Sequence, residues 1–163
     1  MLHVVARLAA HRNDFTFRLV GDGIDFLRLK QLASDLGLAA PTIEFTGLAT
    51  DRQVATHLRE AEFMVMFSNY ENQPVVIIES LACGRPVVAT RVGGIPEMIS
   101  EERGRLVNPG DGKGLEASIS FMLDNSRNFR PTELRAYATA NFSQTVVSAQ
   151  IIDFYNSILK KNG

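Results

Sequence analysis

Short apolar runs alternate along the chain with longer stretches in which apolar residues recur every three or four positions. Residues 15–20 (FTFRLV) predict a strand ending in Gly21-Asp22-Gly23, and residues 24–36 carry Leu27, Leu32 and Leu36 at helical spacing until Gly37 stops them. Residues 42–45 predict a second strand, opened by Pro41 and closed by Gly47. Asp51 starts a short helix with Val54, Ala55, Leu58 and Ala61 on one face. Residues 63–67 (FMVMF) are wholly apolar, the pattern of a parallel strand buried on both faces. A loop, residues 68–73, leads to Pro74. Proline is favoured at the first helical position, where its missing amide hydrogen would be unpaired anyway, so residues 74–83 read as a helix stopped by Gly84. Residues 86–90 (PVVAT) are the next strand, followed by Gly93-Gly94, a helical turn over 96–100 and a strand over 104–107. Helices are expected over 111–124, 131–140 and 144–159.

Strands alternating with crossover helices predict an α/β fold: a Rossmann-like, doubly wound parallel sheet with helices on both faces. No internal repeat interrupts the pattern. Residues 2–12 read as a helix feeding the first strand with no strand before it, so the sheet is expected to begin one strand short, as in a truncated domain. At 163 residues the chain is expected to be a single domain that supports its own core. Ligands on such sheets bind at the carboxyl ends of the strands. That rule selects Gly21, Asp22 and Gly23, then Gly47 and Leu48, then residues 68–76 and 91–95.

Charge narrows the chemistry. With 17 basic and 18 acidic residues and no long basic run, nucleic acid is an unsuitable partner. One cysteine, Cys83, can form no internal disulfide and reads as a small core residue. His3, His11 and His57 are scattered without metal-ligand spacing, so no metal site is expected, and no nucleophile motif is present. No apolar run reaches the roughly 18 to 20 residues of a spanning helix, and the first residues lack the pattern of a secretion signal. The chain reads as cytoplasmic. A peripheral place at the inner face of the cytoplasmic membrane stays compatible with that, since it needs only one amphipathic helix.

The informative stretch is residues 68–90. Glu71 lies in the predicted loop and Glu79 eight positions later in the predicted helix, so both carboxylates belong to one loop-to-helix unit at a strand end. The helix start between them presents unpaired amides and the positive end of the helix dipole, which suits a diphosphate. An ionised Glu beside it can accept hydrogen bonds from adjacent hydroxyls and hold a sugar in one orientation. Taken singly, each residue has a plainer reading: a helical Glu is commonly a solvated surface charge, and Gly21, Gly23, Gly93 and Gly94 are commonly turn residues.

In combination these pieces carry more. RLVGDG (residues 18–23), IEFTG (43–47), the two glutamates Glu71 and Glu79 with seven residues between them, ESLACGRPVVAT (79–90), RVGGIPEMI (91–99) and GRLVNPGD (104–111) occur in fixed order. Over roughly residues 2–159 the sequence resembles the C-terminal, donor-binding domain of retaining glycosyltransferases of the GT-B fold, family 4, also called glycosyl transferases group 1. The resemblance implies a nucleotide-diphosphate sugar (UDP-, GDP- or ADP-linked) as donor substrate, no further cofactor and no obligatory metal. By matching positions, Glu79 would accept hydrogen bonds from the ribose and Glu71 would act beside the transferred sugar. The backbone around Gln73, Pro74, Val75 and Val76 would contact sugar and diphosphate, while Gly21, Asp22, Gly23, Gly47 and Leu48 would border the nucleotide.

The implied reaction is transfer of a hexose, with retention, to a glycan or lipid-linked acceptor. It also requires an N-terminal acceptor domain, for which 163 residues leave no room, so the chain alone is expected to be inactive in transfer. Asn72-Gln73-Pro74 stands where the family usually has a glycine- and phenylalanine-rich stretch, which leaves the donor sugar open. The family's Arg and Lys that clamp the diphosphate precede the first helix, and this sequence begins after them. Two other readings compete: a nucleotide-sugar 2-epimerase-like domain, which should carry histidines in its cleft, and a non-catalytic Rossmann-like binding module.

Overall fold

The two periodicities fold where the pattern places them, in a computed structural model that describes residues 1–161. In chain order the elements are α1 (Leu2–Ala9), β1 (Phe17–Val20), α2 (Phe26–Asp35), β2 (Ile43–Gly47), α3 (Asp51–Glu60), β3 (Met64–Met66), α4 (Val75–Ala82), β4 (Val87–Thr90), α5 (Ile95–Met98), β5 (Gly104–Val107), α6 (Gly112–Asn125), α7 (Pro131–Phe142) and α8 (Gln144–Lys161). A 3₁₀ turn over Ser126–Asn128, absent from the sequence reading, joins α6 to the segment before α7. The first helix ends at Ala9 and not at residue 12, although the amides of Ala10 and Arg12 still reach back to Ala6 and Leu8. Thr50 caps α3 reciprocally with Gln53, which fixes the helix start at Asp51, where the sequence places it.

Every strand pairing is parallel, as the α/β alternation predicts. The ladder is nonetheless split: β1 pairs with β2, while β3, β4 and β5 form a separate three-stranded set in that order. Inside the larger set the side chains alternate as a two-sided sheet requires. Val87 and Ala89 of β4 pack with Ile77 and Leu81 of α4, Ile95 and Met98 of α5 and Leu134 of α7. Val88 and Val107 pack the other way, against Val4 and Leu8 of α1 and Leu115, Ile119 and Met122 of α6. A third cluster joins Leu2 and Val5 of α1 to Ala33 of α2 and Ile43 of β2. Helices therefore cover both faces, and α1 spans the two strand sets.

One strand departs from its sequence pattern. All residues of β4 are buried, as its apolar run demands, but Met64–Met66 of β3 are only half-buried. The reason is positional, since β3 is an edge of its set and pairs with β4 alone. Along α8 the large apolar side chains of Ile151, Ile152, Phe154 and Tyr155 are exposed. No helix among the described residues is long and apolar enough to cross a membrane.

Candidate functional site at the carboxyl edge of the strands

The loop after β3 is held by its neighbours on β4 and α5. Thr90, a buried polar residue at the end of β4, donates its hydroxyl to the Ser68 carbonyl at 2.7 Å and fixes the point where the chain leaves β3. Further out, the Gly94 amide donates to the Asn72 carbonyl at 2.7 Å. Gly93, at φ +52°, lies so close to the Glu71 carbonyl that a Cβ there would overlap it. The glycine pair is thus the backing on which Glu71 and Asn72 rest. The Tyr70 hydroxyl donates to the Asn72 side-chain oxygen at 3.1 Å and closes the tip of the loop.

Helix α4 starts one residue later than predicted, because Pro74 is its N-cap, with extended backbone at φ −69° and ψ 119°. Proline offers no side-chain acceptor, and no side chain caps this helix. The Ile77 amide folds back onto the Pro74 carbonyl at 3.1 Å, which leaves the Val75 and Val76 amides without a partner among the described residues. An uncapped helix start at a strand's carboxyl edge is a local positive pole. Ile77, Ser80 and Leu81 bury the inner face of α4, and the Ser80 hydroxyl holds the Arg85 carbonyl at 3.1 Å beyond its far end. Val75 and Glu79, four residues apart, share the outer face.

Glu71 is half-buried in the loop and Glu79 is exposed on the helix. Neither carboxylate has a cationic partner among the described residues, in contrast to Glu44 and Glu60, which both engage Arg18 at 2.9 Å. Uncompensated carboxylates on each side of unpaired amides can accept hydroxyl hydrogen bonds while the amides donate to an anion.

The other predicted residues follow the carboxyl ends of β1 and β2, in the smaller strand set. The Gly21 amide donates to the Gly47 carbonyl at 2.9 Å, tying the ends of β1 and β2 together. Asp22 turns its carboxylate onto the Gly23 amide at 2.7 Å, so it shapes its own turn. Leu48, Tyr70 and Val75 are 83%, 80% and 65% exposed, so each presents apolar surface beside these loops. Gly21 to Gly23 and Leu48 thus gather at the ends of β1 and β2, and Glu71 to Glu79 at the end of β3.

These residues line an open rim. A deeper cavity of about 570 Å³ lies between β1 and β3, and of the predicted site residues only Val76 lines it. Among the described residues, no three His, Cys, Asp or Glu side chains gather as a metal cluster. Of the histidines, His3 is in α1, His11 follows it, and His57 of α3 lies 3.2 Å from Arg18.

Comparison with known proteins gives this rim a context. The family model described as glycosyl transferases group 1 matches residues 1–125. The MMP alpha-(1->4)-mannosyltransferase of Mycolicibacterium hassiacum is 32% identical over 165 residues, covering 99% of this chain and 40% of that protein. The N-acetyl-alpha-D-glucosaminyl L-malate synthase of Bacillus anthracis is 31% identical, covering 92% of this chain and 40% of the relative. Anabaena Alr3699/HepE, solved in complex with UDP, superposes with a TM-score of 0.81 at 26% identity, over 95% of this chain and 44% of its own. The same protein has also been solved with UDP-glucose. The chain spans about two fifths of the length of the curated relatives named here.

Proposed function

The chain belongs to the glycosyl transferases group 1 family, and on that footing we propose that its carboxyl rim binds the nucleotide-diphosphate-sugar donor of a glycosyl transfer. The observation that carries this reading is the start of α4. Among the described residues, the backbone amides of Val75 and Val76 open α4 without a partner or a side-chain cap, and Glu71 and Glu79 on either side of them engage no cation. A diphosphate supplies the anion that the amides lack, and sugar hydroxyls supply the donors that the carboxylates lack. The complexes of Anabaena HepE with UDP and UDP-glucose support a donor of this class.

In this reading Glu79 accepts from the ribose hydroxyls. Gln73, Pro74, Val75 and Val76 present backbone to the diphosphate and sugar. Glu71, held by Gly93 and Gly94, stands beside the transferred hexose, where its charge supports positive charge growing at the anomeric carbon. Gly21, Asp22, Gly23, Gly47 and Leu48 border the nucleotide. The helix start offsets part of the leaving diphosphate charge, so the chemistry needs no metal, and transfer proceeds with retention to a glycan or lipid-linked acceptor. Transfer needs a second, acceptor-binding domain. The residues of this chain supply the donor-binding side of that reaction. No histidine stands on the rim among the described residues, which favours this reading over a 2-epimerase-like site.

Calorimetric titration with UDP-, GDP- and ADP-sugars tests the assignment. One of the three series should bind, and Glu79→Ala should weaken it by about tenfold or more, since a hydrogen bond to a charged group contributes about 1.5–3 kcal/mol. Unchanged affinity in Glu79→Ala would remove the ribose role.

A further inference from the structure

Two side chains at the tip of the loop after β3 have no task in donor binding as described so far. Tyr70 and Asn72 stand on either side of Glu71 in the chain, and both are exposed. An exposed ring alone is commonplace on a protein surface. This one is anchored: the Tyr70 hydroxyl reaches across Glu71 and donates to Asn72 Oδ1 at 3.1 Å. Asn72 is fixed in turn, because its carbonyl accepts from the Gly94 amide at 2.7 Å. The ring is therefore tied at its far end to backbone that rests on the glycine pair, which removes much of the rotamer freedom an exposed side chain keeps.

The same bond sets the Asn72 amide. A carboxamide has one oxygen and one NH2 group, and here the oxygen faces the Tyr70 hydroxyl. The NH2 group is left as a donor that makes no hydrogen bond among the described residues. Glu71, between the two, only accepts hydrogen bonds when ionised, and it engages no cation among the described residues. An aromatic face, a free acceptor and a free donor thus occupy consecutive positions at the loop tip.

A pyranose meets all three at once. Its hydroxyls donate to a carboxylate and accept from an amide. The C–H bonds of its less polar face carry slight positive charge, which suits the negative face of an aromatic ring. A diphosphate has use for the Asn72 donor alone, and Glu71 repels it.

We propose that Tyr70 and Asn72 select the transferred sugar. The Tyr70 ring stacks on the apolar face of the pyranose. The Asn72 amide, oriented by the Tyr70 hydroxyl, donates to a sugar hydroxyl next to the one that Glu71 accepts from. The proposal rests on the donor reading above and adds to it the side chains that tell a nucleotide sugar from the bare nucleoside diphosphate.

Calorimetry on the chain with UDP, GDP and ADP, each against its glucose and mannose conjugates, separates the two levels. Glu79→Ala reads the donor site and should weaken diphosphate and conjugate alike. Tyr70→Ala and Asn72→Ala should weaken the conjugate about fivefold or more and leave the diphosphate within about twofold, the size expected for one or two neutral contacts. Tyr70→Phe keeps the ring and releases the amide, so its loss for the conjugate should lie between those of the parent and Tyr70→Ala. In NMR spectra of the parent chain, the Asn72 side-chain NH2 signals should shift with the conjugate and stay in place with the diphosphate, a difference that a merely structural loop does not produce. That reading needs no variant and decides even where a substitution disturbs the fold: Asn72 signals unmoved at saturation with the conjugate overturn the proposal. Equal loss of both ligands in Tyr70→Ala and Asn72→Ala, or loss of neither, overturns the sugar assignment and leaves the donor site standing. Glu79→Ala without effect on either ligand, or no binding in any series, removes the donor reading and this proposal with it.

Discussion

At the scale of single residues, the candidate site depends on two side chains that touch no cation among the described residues and two glycines that touch the loop. Gly93 is the more informative position. Any other residue there enters the left-handed region at about 1–2 kcal/mol and brings a Cβ onto the Glu71 carbonyl. Gly93→Ala should therefore weaken donor binding severalfold while a thermal melt still shows a cooperative fold; binding equal to the parent would show that the loop position is immaterial. Thr90 gives a second reading of the same loop. Thr90→Val strips the Ser68 carbonyl of its 2.7 Å donor, an expected loss of about 1 kcal/mol and, for a chain of this size, about 2–4 °C in Tm. An unshifted melt would mean that solvent replaces the hydroxyl. Glu71 and Glu79 were legible as a pair because their separation straddles a predicted helix start. The support from Thr90 and Gly93 was not, because nothing in the local pattern ties residues 90 and 93 to a loop some twenty positions earlier.

At the scale of elements, the hydrophobic periodicity placed every predicted strand and helix within a few residues, and its misses have local causes. Pro74 was read as the first helical residue but is the cap, and this shift moves the free amides to Val75 and Val76. The burial of β3 was overread: a composition suited to two neighbours does not reveal that one edge is unpaired. The link from α1 to β1 shows a further device that spacing alone could not display. Arg12 bridges Asp14 at 2.7 Å and Asp124 at 2.8 Å, pinning the linker to the end of α6. Its guanidinium holds the Asp14 carboxyl below the ordinary carboxylate value. A folded-state pKa below the unfolded one means that the unfolded chain binds more protons in that interval, so the stabilisation is present above the unfolded value and is lost as pH falls through the folded one. Melts from pH 5 down to about pH 2 should show part of the acid loss disappear in Asp14→Asn. An acid limb identical in parent and variant would remove the pair from the account.

At the scale of the whole molecule, separate loop groups follow the carboxyl ends of two strand sets covered by helices. Gly21, Gly47 and Leu48 come from the smaller set, and Glu71 to Glu79 from the larger. The parallel α/β architecture was legible from alternation. The split between β1 and β3 requires strand order, which a linear pattern does not contain. The central claim is that a donor spans the start of α4. A two-dimensional amide NMR titration of the 163-residue chain with the donor that binds in calorimetry tests it most directly. The Val75 and Val76 amides should shift together with Gly21 along one saturation curve, and Glu79→Ala should move that curve to higher concentration. Saturable shifts that leave Val75 and Val76 unmoved, or that gather on the cavity-lining residues of β1 and β3, would contradict it.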